Sequence, residues 1–206
     1  MRGRNKPWAD QFISDNQHYI YKKNEIVDKN REIYLEIGMG KGDFIIQSSK
    51  YFSDVLHFGV ELNKSIFAIA LKKIANLEIE NLKILNVPAI NLLDYFAEHS
   101  ISKIFLNFSD PWPKARHEKR RLVHTKHLEL FEKLLVSDGK IVFKTDNFKL
   151  FEYGLEMFKQ RNYTIEFLEY DYNTIEGDFV SEYEARFRSL NQPIYRCVAS
   201  IVKKED

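Results

Sequence analysis

Short apolar runs alternate with amphipathic stretches from residue 33 onward. The apolar runs, which have the length and composition of buried strands, are Ile33–Ile37, Leu56–Val60, Leu82–Leu85, Ile104–Phe108, Lys140–Lys144, Thr164–Tyr170 and Ile194–Val202. The stretches with helical spacing are Phe44–Phe52, Lys64–Asn76, Ile90–His99, His124–Val136 and Phe148–Arg161. Strands that alternate with helices, followed by two strands joined only by a loop, predict a mostly parallel seven-stranded sheet with an antiparallel C-terminal hairpin. We therefore expect an α/β, doubly wound, Rossmann-like fold.

The first part of the chain does not follow this alternation. Residues 1–31 are polar and basic and carry the aromatic residues Trp8, Phe12, Tyr19 and Tyr21. We interpret them as a basic N-terminal arm, or a set of short helices, lying against the core. Residues 32–206 contain no Pro- or Gly-rich linker, so we expect them to form a single catalytic domain.

Composition narrows the class of protein. Of the 206 residues, 44% are hydrophobic and 30% are charged, which is typical of a soluble globular chain. No stretch approaches the ~20 apolar residues of a membrane span, and residues 1–10 lack an apolar signal-peptide core, so we expect a cytoplasmic protein. The single cysteine, Cys197, excludes an internal disulfide framework, and the six histidines show no zinc-site spacing, so no metal is expected.

Three glycines follow the first predicted strand, at Gly38, Gly40 and Gly42, directly before a predicted helix. Residues without side chains let the backbone turn tightly and approach a ligand closely. The spacing matches neither the dinucleotide fingerprint nor the nucleoside-triphosphate loop. It is similar to the first motif of S-adenosylmethionine-dependent methyltransferases, in which an acidic residue stands two positions before the first glycine, as Glu36 does here.

A second acidic residue ends the second predicted strand. Glu61 follows Gly40 by about 20 residues, the distance at which a carboxylate reaches ribose hydroxyls in such folds. The two glutamates and the glycines together favour a nucleoside cofactor. NAD stays open as an alternative, although Asp43 at the start of the helix would oppose its pyrophosphate.

The fourth predicted strand leads into the sequence Ser109-Asp110-Pro111-Trp112-Pro113. The two prolines fix the backbone, so Asp110 and Trp112 are expected in a stiff loop at the ligand-binding edge of the sheet. The loop is similar to the (Asn/Asp)-Pro-Pro-aromatic loop of base-modifying methyltransferases. Residues 114–121 then carry five Lys or Arg against one Glu, which favours contact with nucleic-acid phosphates over a solvated mixed-charge face.

These motifs together resemble the bacterial tRNA (guanine-N7-)-methyltransferase family. The segments that carry the resemblance are 36–42, 106–114, 116–121, 144–147 and 182–184, in an order and spacing that match over nearly the whole chain. The resemblance implies an S-adenosylmethionine-dependent methyltransferase fold and methylation of guanine N7 in the tRNA variable region, conventionally at position 46. The partner it implies is tRNA, with no membrane, and the sequence does not choose between a monomer and a homodimer.

The resemblance also implies roles for individual residues. The cofactor-binding residues implied are Glu36, Gly38, Gly40, Glu61, Pro88, Ala89 and Asp110, and Asp110 is also the catalytic candidate. The substrate-binding residues implied are Lys114, Asp146, Ser181, Glu182, Tyr183 and Glu184. The RNA-binding residues implied are Arg116, His117, Glu118, Lys119, Arg120 and Arg121.

The chain departs from the family pattern at two of these positions. Pro88 stands where an Asp commonly faces the adenine, so that side-chain contact is missing, and Ser181 replaces a common Thr but keeps the hydroxyl. The departure at Pro88 keeps open a second alternative, an RNA-binding protein with weak catalysis on the same fold.

Guanine N7 has a free lone pair, so its methylation needs positioning and charge stabilisation more than a strong base. Carboxylates suit this task because one carboxylate can accept hydrogen bonds from both N1–H and the N2 amino group of guanine. The candidates are Asp110, Asp146 and Glu184, although Asp146 is also placed where an ordinary helix N-cap would stand.

Overall fold

A computed structural model describes residues 6–201, and its centre is one seven-stranded sheet in the order β3-β2-β1-β4-β5-β7-β6. The strands are β1 Ile33–Ile37, β2 Leu56–Val60, β3 Leu82–Leu85, β4 Ile101–Asn107, β5 Leu135–Thr145, β6 Tyr163–Glu169 and β7 Tyr195–Ile201. The first five strands pair in parallel, and β7 runs antiparallel to both β5 and β6. The predicted fold class and the C-terminal antiparallel hairpin are therefore confirmed.

Helices cover both faces of the sheet. The α-helices are α1 Ala9–Asp15, α2 Asp43–Tyr51, α3 Lys64–Leu77, α4 Thr125–Leu134, α5 Phe148–Gln160 and α6 Glu182–Ser189. Alternate side chains of β1 enter different cores, since Leu35 packs in the cluster with α4 and α5 while Tyr34 packs in the cluster with α2 and α3. Burial on both faces explains why the central strands have continuous apolar runs instead of alternating ones.

The described part of the N-terminal arm packs on the domain. It contains two short helices, α1 and a 3₁₀-helix at Gln17–Tyr19, which agrees with the interpretation of this segment from its sequence. Phe12 contacts the α2–α3 core, and Tyr21 is buried and donates its backbone N–H to the carbonyl oxygen of Ile84 at 3.0 Å. Arg2 and Arg4 lie outside the described residues, and the division of the chain at residue 31 stays a prediction.

Two predicted helices differ in the structure, and β5 begins at Leu135, five residues before the predicted start at Lys140. The predicted helix over Ile90–His99 is a 3₁₀-helix at Ala89–Asp94, because the backbone N–H groups of Tyr95 and Phe96 both bond to the carbonyl of Leu92 and the chain then leaves the helical path. Leu92 and Phe96 are both buried, so their spacing imitates a longer amphipathic helix. The predicted helix to Val136 ends at Leu134, and β5 begins at the next residue.

The link between β6 and β7 is not only a loop, as the sequence pattern predicted, because it contains α6. Ser181 begins this helix by accepting the backbone N–H of Glu184 at 3.1 Å. The Ser-x-x-Glu pattern of a capping box was the sequence signal for it. We call residues 170–194 the β6–β7 connector. Among the described residues, no helix is long and apolar enough to cross a membrane.

Candidate active site

The strand order reverses between β1 and β4, which are neighbours in the sheet. From β1 the chain builds outward through β2 and β3, and from β4 it builds outward through β5 in the other direction. The carboxyl ends of β1 and β4 therefore border the crevice in which sheets of this kind bind ligands. The glycine motif follows β1, and the Ser-Asp-Pro-Trp-Pro loop follows β4.

The glycine loop turns by left-handed backbone conformations at Gly38, Gly40 and Gly42, with φ of 80°, 57° and 80°. Side chains rarely adopt this region, so glycine is required there by the turn itself. The N–H groups of Gly38 and Met39 donate to the carbonyl of Val60 at 2.8 and 3.0 Å, which fixes the loop against β2.

Glu61 joins the end of β2 to the glycine loop. Its Oε2 accepts the N–H of Gly40 at 3.1 Å and its Oε1 accepts the N–H of Asn63 at 2.7 Å. Burial raises the pKa of this carboxyl, and the nearby charge of Asp110 raises it further. The two predicted cofactor acids, Glu61 and Asp110, therefore lie close enough to interact, and the ribose-binding role of Glu61 stays a prediction.

Glu36 lies at the bottom of the crevice and is buried. Its Oε1 accepts the side-chain N–H of Asn107 at 3.0 Å, and burial raises the pKa of Glu36 to about 8. Three buried polar atoms here have no hydrogen-bond partner among residues 6–201, namely Glu36 Oε2, Asn107 Oδ1 and Ser109 Oγ. Buried polar atoms are nearly always paired, so these atoms mark a place where a polar ligand group would fit.

Sequence reasoning missed two of those three residues. Asn107 ends β4 and Ser109 is the second residue of the loop after it, so both stand inside the motif that pointed to Asp110. Their position directly beyond an apolar run was the available signal.

The loop after β4 has a strained backbone. Phe108 and Trp112 have φ of 51° and 41°, in the left-handed region that non-glycine residues seldom occupy. The ring of Phe108 stacks on Phe187 of α6 with 5.8 Å between centroids. Asp110 lies between the two strained residues and is exposed at the mouth of the crevice.

Arg121 holds this loop from outside. Its Nε and Nη2 donate to the carbonyls of Pro111 and Trp112, each at 3.2 Å, and its guanidinium lies 4.3 Å from the ring centroid of Tyr153. The rest of the basic run forms a 3₁₀-helix at Ala115–Arg120. The structure therefore separates Arg121 from the residues with which the sequence pattern groups it.

The other predicted RNA-binding residues are placed outside the core. Arg116, Lys119 and Arg120 are exposed, as is Lys114 just before the 3₁₀-helix. The guanidinium of Arg120 lies 4.9 Å from the centroid of the indole of Trp112. Two further predicted members, His117 and Glu118, are half-buried, and the His117 ring meets the Trp112 ring edge-on at 5.5 Å. Their contact with RNA stays a prediction.

The β6–β7 connector lies across the glycine loop. Glu182 forms an ion pair with Lys41 at 2.6 Å, and a Cβ atom built on Gly40 would lie 3.8 Å from the Tyr183 ring. The fold therefore places Ser181, Glu182 and Tyr183 beside the glycine loop, although they are far from it in the sequence. Their role in binding substrate stays a prediction.

The three candidate carboxylates for guanine occupy different environments. Asp110 is exposed, Asp146 is half-buried after β5, and Glu184 is buried among cationic side chains. Burial raises the pKa of Asp146. The helix cap that the sequence allowed at Asp146 is supplied instead by Asn147, whose Oδ1 accepts the N–H of Leu150 at 2.9 Å. The side chain of Asp146 is therefore not used to begin α5.

Pro88 and Ala89 follow β3, beside the end of β2. Pro88 is exposed and directly precedes the 3₁₀-helix, while Ala89 is half-buried. Asn86 connects this strand end to the cofactor acid, because its side-chain amide donates to the carbonyls of Glu61 and Leu62 at 2.7 and 3.0 Å. The placement keeps both residues as candidates for contact with the adenine.

Cys197 is a free cysteine and is buried. Burial raises the pKa of the Cys197 thiol to about 12, so the thiol stays protonated near neutral pH. Residues 6–201 contain no group of three or more His, Cys, Asp or Glu side chains that could hold a metal ion.

The fold and the glycine crevice define the class of Rossmann-like S-adenosylmethionine-dependent methyltransferases. Solved structures share this fold at low sequence identity. A precorrin-6y C5,15-methyltransferase from Geobacter metallireducens has a TM-score of 0.59 and 15% identity, covering 96% of this chain and 88% of that one. An rRNA methylase from Streptococcus thermophilus has a TM-score of 0.56 and 15% identity, with coverage of 98% and 99%.

Sequence comparison identifies the family. The family model described as "Putative methyltransferase" matches residues 30–197. A tRNA (guanine-N(7)-)-methyltransferase from Oceanobacillus iheyensis is 42% identical, covering 98% of this chain and 100% of the relative. The enzyme of that name from Bacillus subtilis is 40% identical, with coverage of 95% and 97%. This chain belongs to the tRNA (guanine-N7-)-methyltransferase family.

Proposed function

We propose that the protein transfers a methyl group from S-adenosylmethionine to N7 of the guanine at position 46 in the tRNA variable region. The cofactor part of the proposal is carried by the buried polar atoms of Glu36, Asn107 and Ser109, which are unpaired among residues 6–201, and the tRNA part is supported by the tRNA (guanine-N(7)-)-methyltransferase relatives. The amino acid moiety of S-adenosylmethionine offers hydrogen-bond donors and acceptors that could pair with these atoms. The ribose hydroxyls of its nucleoside could donate to the carboxylate of Glu61.

The residues that would hold the cofactor fit its chemistry. Glu36 offers a buried carboxylate oxygen to a cationic amino group, and Glu61 offers a carboxylate to ribose hydroxyls. Asp43 forms an ion pair with Lys73 at 2.6 Å at the start of α2. A carboxylate at this helix N-terminus disfavours the pyrophosphate of NAD, so the geometry favours S-adenosylmethionine over the alternative dinucleotide.

Bound S-adenosylmethionine supplies an electrophilic methyl group on a sulfonium. The guanine N7 lone pair forms the new N–C bond while the S–C bond breaks, so the bonding pair leaves with sulfur and no proton must move first. The protein must bring N7 in line with that methyl group and stabilise the positive charge that develops on the purine.

Asp110 and Asp146 are best placed to supply that negative charge. Asp110 stands at the crevice mouth near Glu61. Asp146 follows the adjacent strand β5, and its side chain does not cap α5. The carboxylate of Glu184 already accepts hydrogen bonds from Lys144 and Arg188, so it has less capacity for guanine. We assign the guanine edge to Asp146 and the positioning of the reacting atoms to Asp110.

The exposed cations Lys114, Arg116, Lys119 and Arg120 would contact tRNA phosphates beside the crevice. The target base must leave its stack to enter a pocket, and an aromatic side chain can stack on it there. Trp112 would provide such an aromatic face at the same edge of the sheet. Transfer RNA is a cytoplasmic substrate in bacteria, and the cytoplasm is the compartment we propose.

The proposal is tested by two assays on the full chain. Calorimetric titration with S-adenosylmethionine and with NAD should show binding of the first and little binding of the second. Incubation with methyl-labelled S-adenosylmethionine and unmethylated tRNA, followed by nucleoside analysis, should give labelled 7-methylguanosine. Binding of NAD alone would favour an oxidoreductase, and tRNA binding without label transfer would favour the catalytically weak RNA-binding protein.

A further inference from the structure

Lys144 near the end of β5 is a lysine with no exposed side-chain surface. Its Nζ lies 3.1 and 3.2 Å from the two oxygens of Asp178, 3.0 Å from the carbonyl oxygen of Phe179 and 2.9 Å from Glu184 Oε2. Three acceptor groups match the three donors of an ammonium. A buried charge is tolerated only when it is paired in this way, so these bonds hold the groups firmly together.

The two carboxylates bound to Lys144 have further partners. Glu184 also accepts Arg188 Nη2 at 2.7 Å, and Asp178 accepts the hydroxyl of Tyr172 at 2.7 Å. Arg196 on β7 lies 3.6 Å from Asp178. The cluster therefore joins the neighbouring strands β5 and β7 to both parts of the β6–β7 connector, the extended part and α6.

Lys144 thus holds the connector on either side of residues 181–183. Asp178 precedes this segment and Glu184 follows it, and the segment itself contacts the glycine loop through the Lys41–Glu182 ion pair. With both flanks attached to one buried ammonium, the position of the segment over the crevice depends on Lys144 more than on the exposed ion pair.

We propose that Lys144 is the positioning residue of the substrate-binding segment 181–183, and that Glu184 serves as its anchor and not as a guanine ligand. This inference rests on the proposed function for the meaning of the segment. Lys144 acts through Asp178 and Glu184 and does not touch the substrate. Its loss should loosen the connector and impair use of tRNA while leaving the glycine loop and its cofactor affinity in place.

The test replaces Lys144 by Met, which is unbranched and one atom shorter than Lys and which removes the charge. The matched control is Lys140→Met, because Lys140 is on the same strand but is partly exposed and paired with Glu166 alone, at 2.6 Å. Amide hydrogen exchange measured by mass spectrometry compares peptides of the connector with peptides of β1 and β2.

We expect Lys144→Met to speed exchange in residues 170–194 at least about tenfold, with β1 and β2 unchanged, and Lys140→Met to leave the connector protected. The KM for tRNA should rise at least about tenfold, while the dissociation constant for S-adenosylmethionine should change less than about threefold. Unchanged connector exchange, or an equal loss of cofactor affinity, would overturn the proposal.

Glu184→Gln keeps the shape of its side chain and serves if Lys144→Met does not fold. It should loosen the same connector peptides, and a connector as protected as in the unmodified protein would again overturn the proposal. The exchange and cofactor measurements need no methylation activity. A failure of the proposed function would therefore show in absent label transfer to tRNA, whereas a failure of this inference would show in the exchange pattern.

Discussion

Arg121 distinguishes a loop-holding role from a phosphate-binding role within one basic run. Its guanidinium donates to the carbonyls of Pro111 and Trp112, each at 3.2 Å, and lies against the ring of Tyr153. Replacing Arg121 by Lys keeps a positive charge that can attract phosphate, but a lysine ammonium cannot reproduce the forked geometry or the stacking. The two roles therefore predict different results for Arg121→Lys.

The hydrogen bonds and the ring stacking set the magnitude. Hydrogen bonds from a charged donor contribute about 1.5–3 kcal/mol each, and because both bonds here are long we take about 1 kcal/mol for each, or about 2 kcal/mol for the pair. The cation–π interaction adds about 0.5–1 kcal/mol. The strained backbone of Trp112, with φ of 41°, favours release of the loop once Arg121 no longer holds it.

We therefore expect Arg121→Lys and Arg121→Ala both to lower kcat/KM about 60- to 140-fold, since each 1.4 kcal/mol is about a factor of ten. Binding of tRNA and its salt dependence should be close to those of the unmodified protein. Arg116→Lys is the control, because Arg116 is an exposed member of the same run, and it should keep its activity. Full activity in Arg121→Lys would refute the reasoning.

Three other changes test separate parts of the site. Three exposed cations, Arg116, Lys119 and Arg120, can be replaced by Ala. Each phosphate that is no longer neutralised should reduce the slope of log affinity for tRNA against log salt by about 0.7–0.9. An unchanged slope would mean that these residues form only a solvated face. Burial raises the pKa of Glu36 to about 8, so this carboxyl should ionise when the cofactor amino group binds. The affinity for S-adenosylmethionine, measured by calorimetry, should therefore increase by up to about tenfold per pH unit from about pH 5.5 to 7. Glu36→Gln should remove this trend. Restoring an acid by Pro88→Asp should tighten S-adenosylmethionine binding by a few-fold to about tenfold, from one added hydrogen bond, and equal or weaker binding would mean that Pro88 does not face the adenine.

The same pKa fixes the sign of a stability effect at Glu36. The folded pKa is raised above the unfolded value, so the protonated carboxyl stabilises the ligand-free protein at low pH. That contribution is fully present below the unfolded pKa of 4.5 and is lost as the pH rises through about 8.

The sequence predicted strands β1, β2 and β3 closely because their apolar runs are almost entirely buried. The runs Ile33–Ile37, Leu56–Val60 and Leu82–Leu85 agree with β1, β2 and β3 at both ends. Continuous apolar residues bounded by polar ones leave little freedom in where such a strand begins. The glycine loop and Glu61 were predicted as neighbours for a similar reason, since parallel strands bring their carboxyl ends to one edge.

The orientation of charged side chains could not be predicted in this way. Arg121 stands in a run of basic residues, yet its side chain bonds inward to a loop that only the folded backbone brings near. Glu184 stands in a polar segment, yet it is buried against Lys144 from a distant strand. Sequence patterns describe average exposure, whereas these bonds depend on the path of the folded backbone, which brings together residues ten positions apart at Arg121 and 40 positions apart at Glu184.

We propose that the crevice between β1 and β4 methylates one guanine of tRNA at N7. The most direct measurement compares two unmethylated transcripts of one tRNA that differ only in having guanine or adenine at position 46. After reaction with S-adenosylmethionine, reduction and aniline treatment cut the chain at 7-methylguanosine and report its position. We predict cleavage at position 46 of the guanine transcript alone, and its near loss in Asp110→Ala. Equal methylation of both transcripts, or unchanged cleavage with Asp110→Ala, would contradict the account.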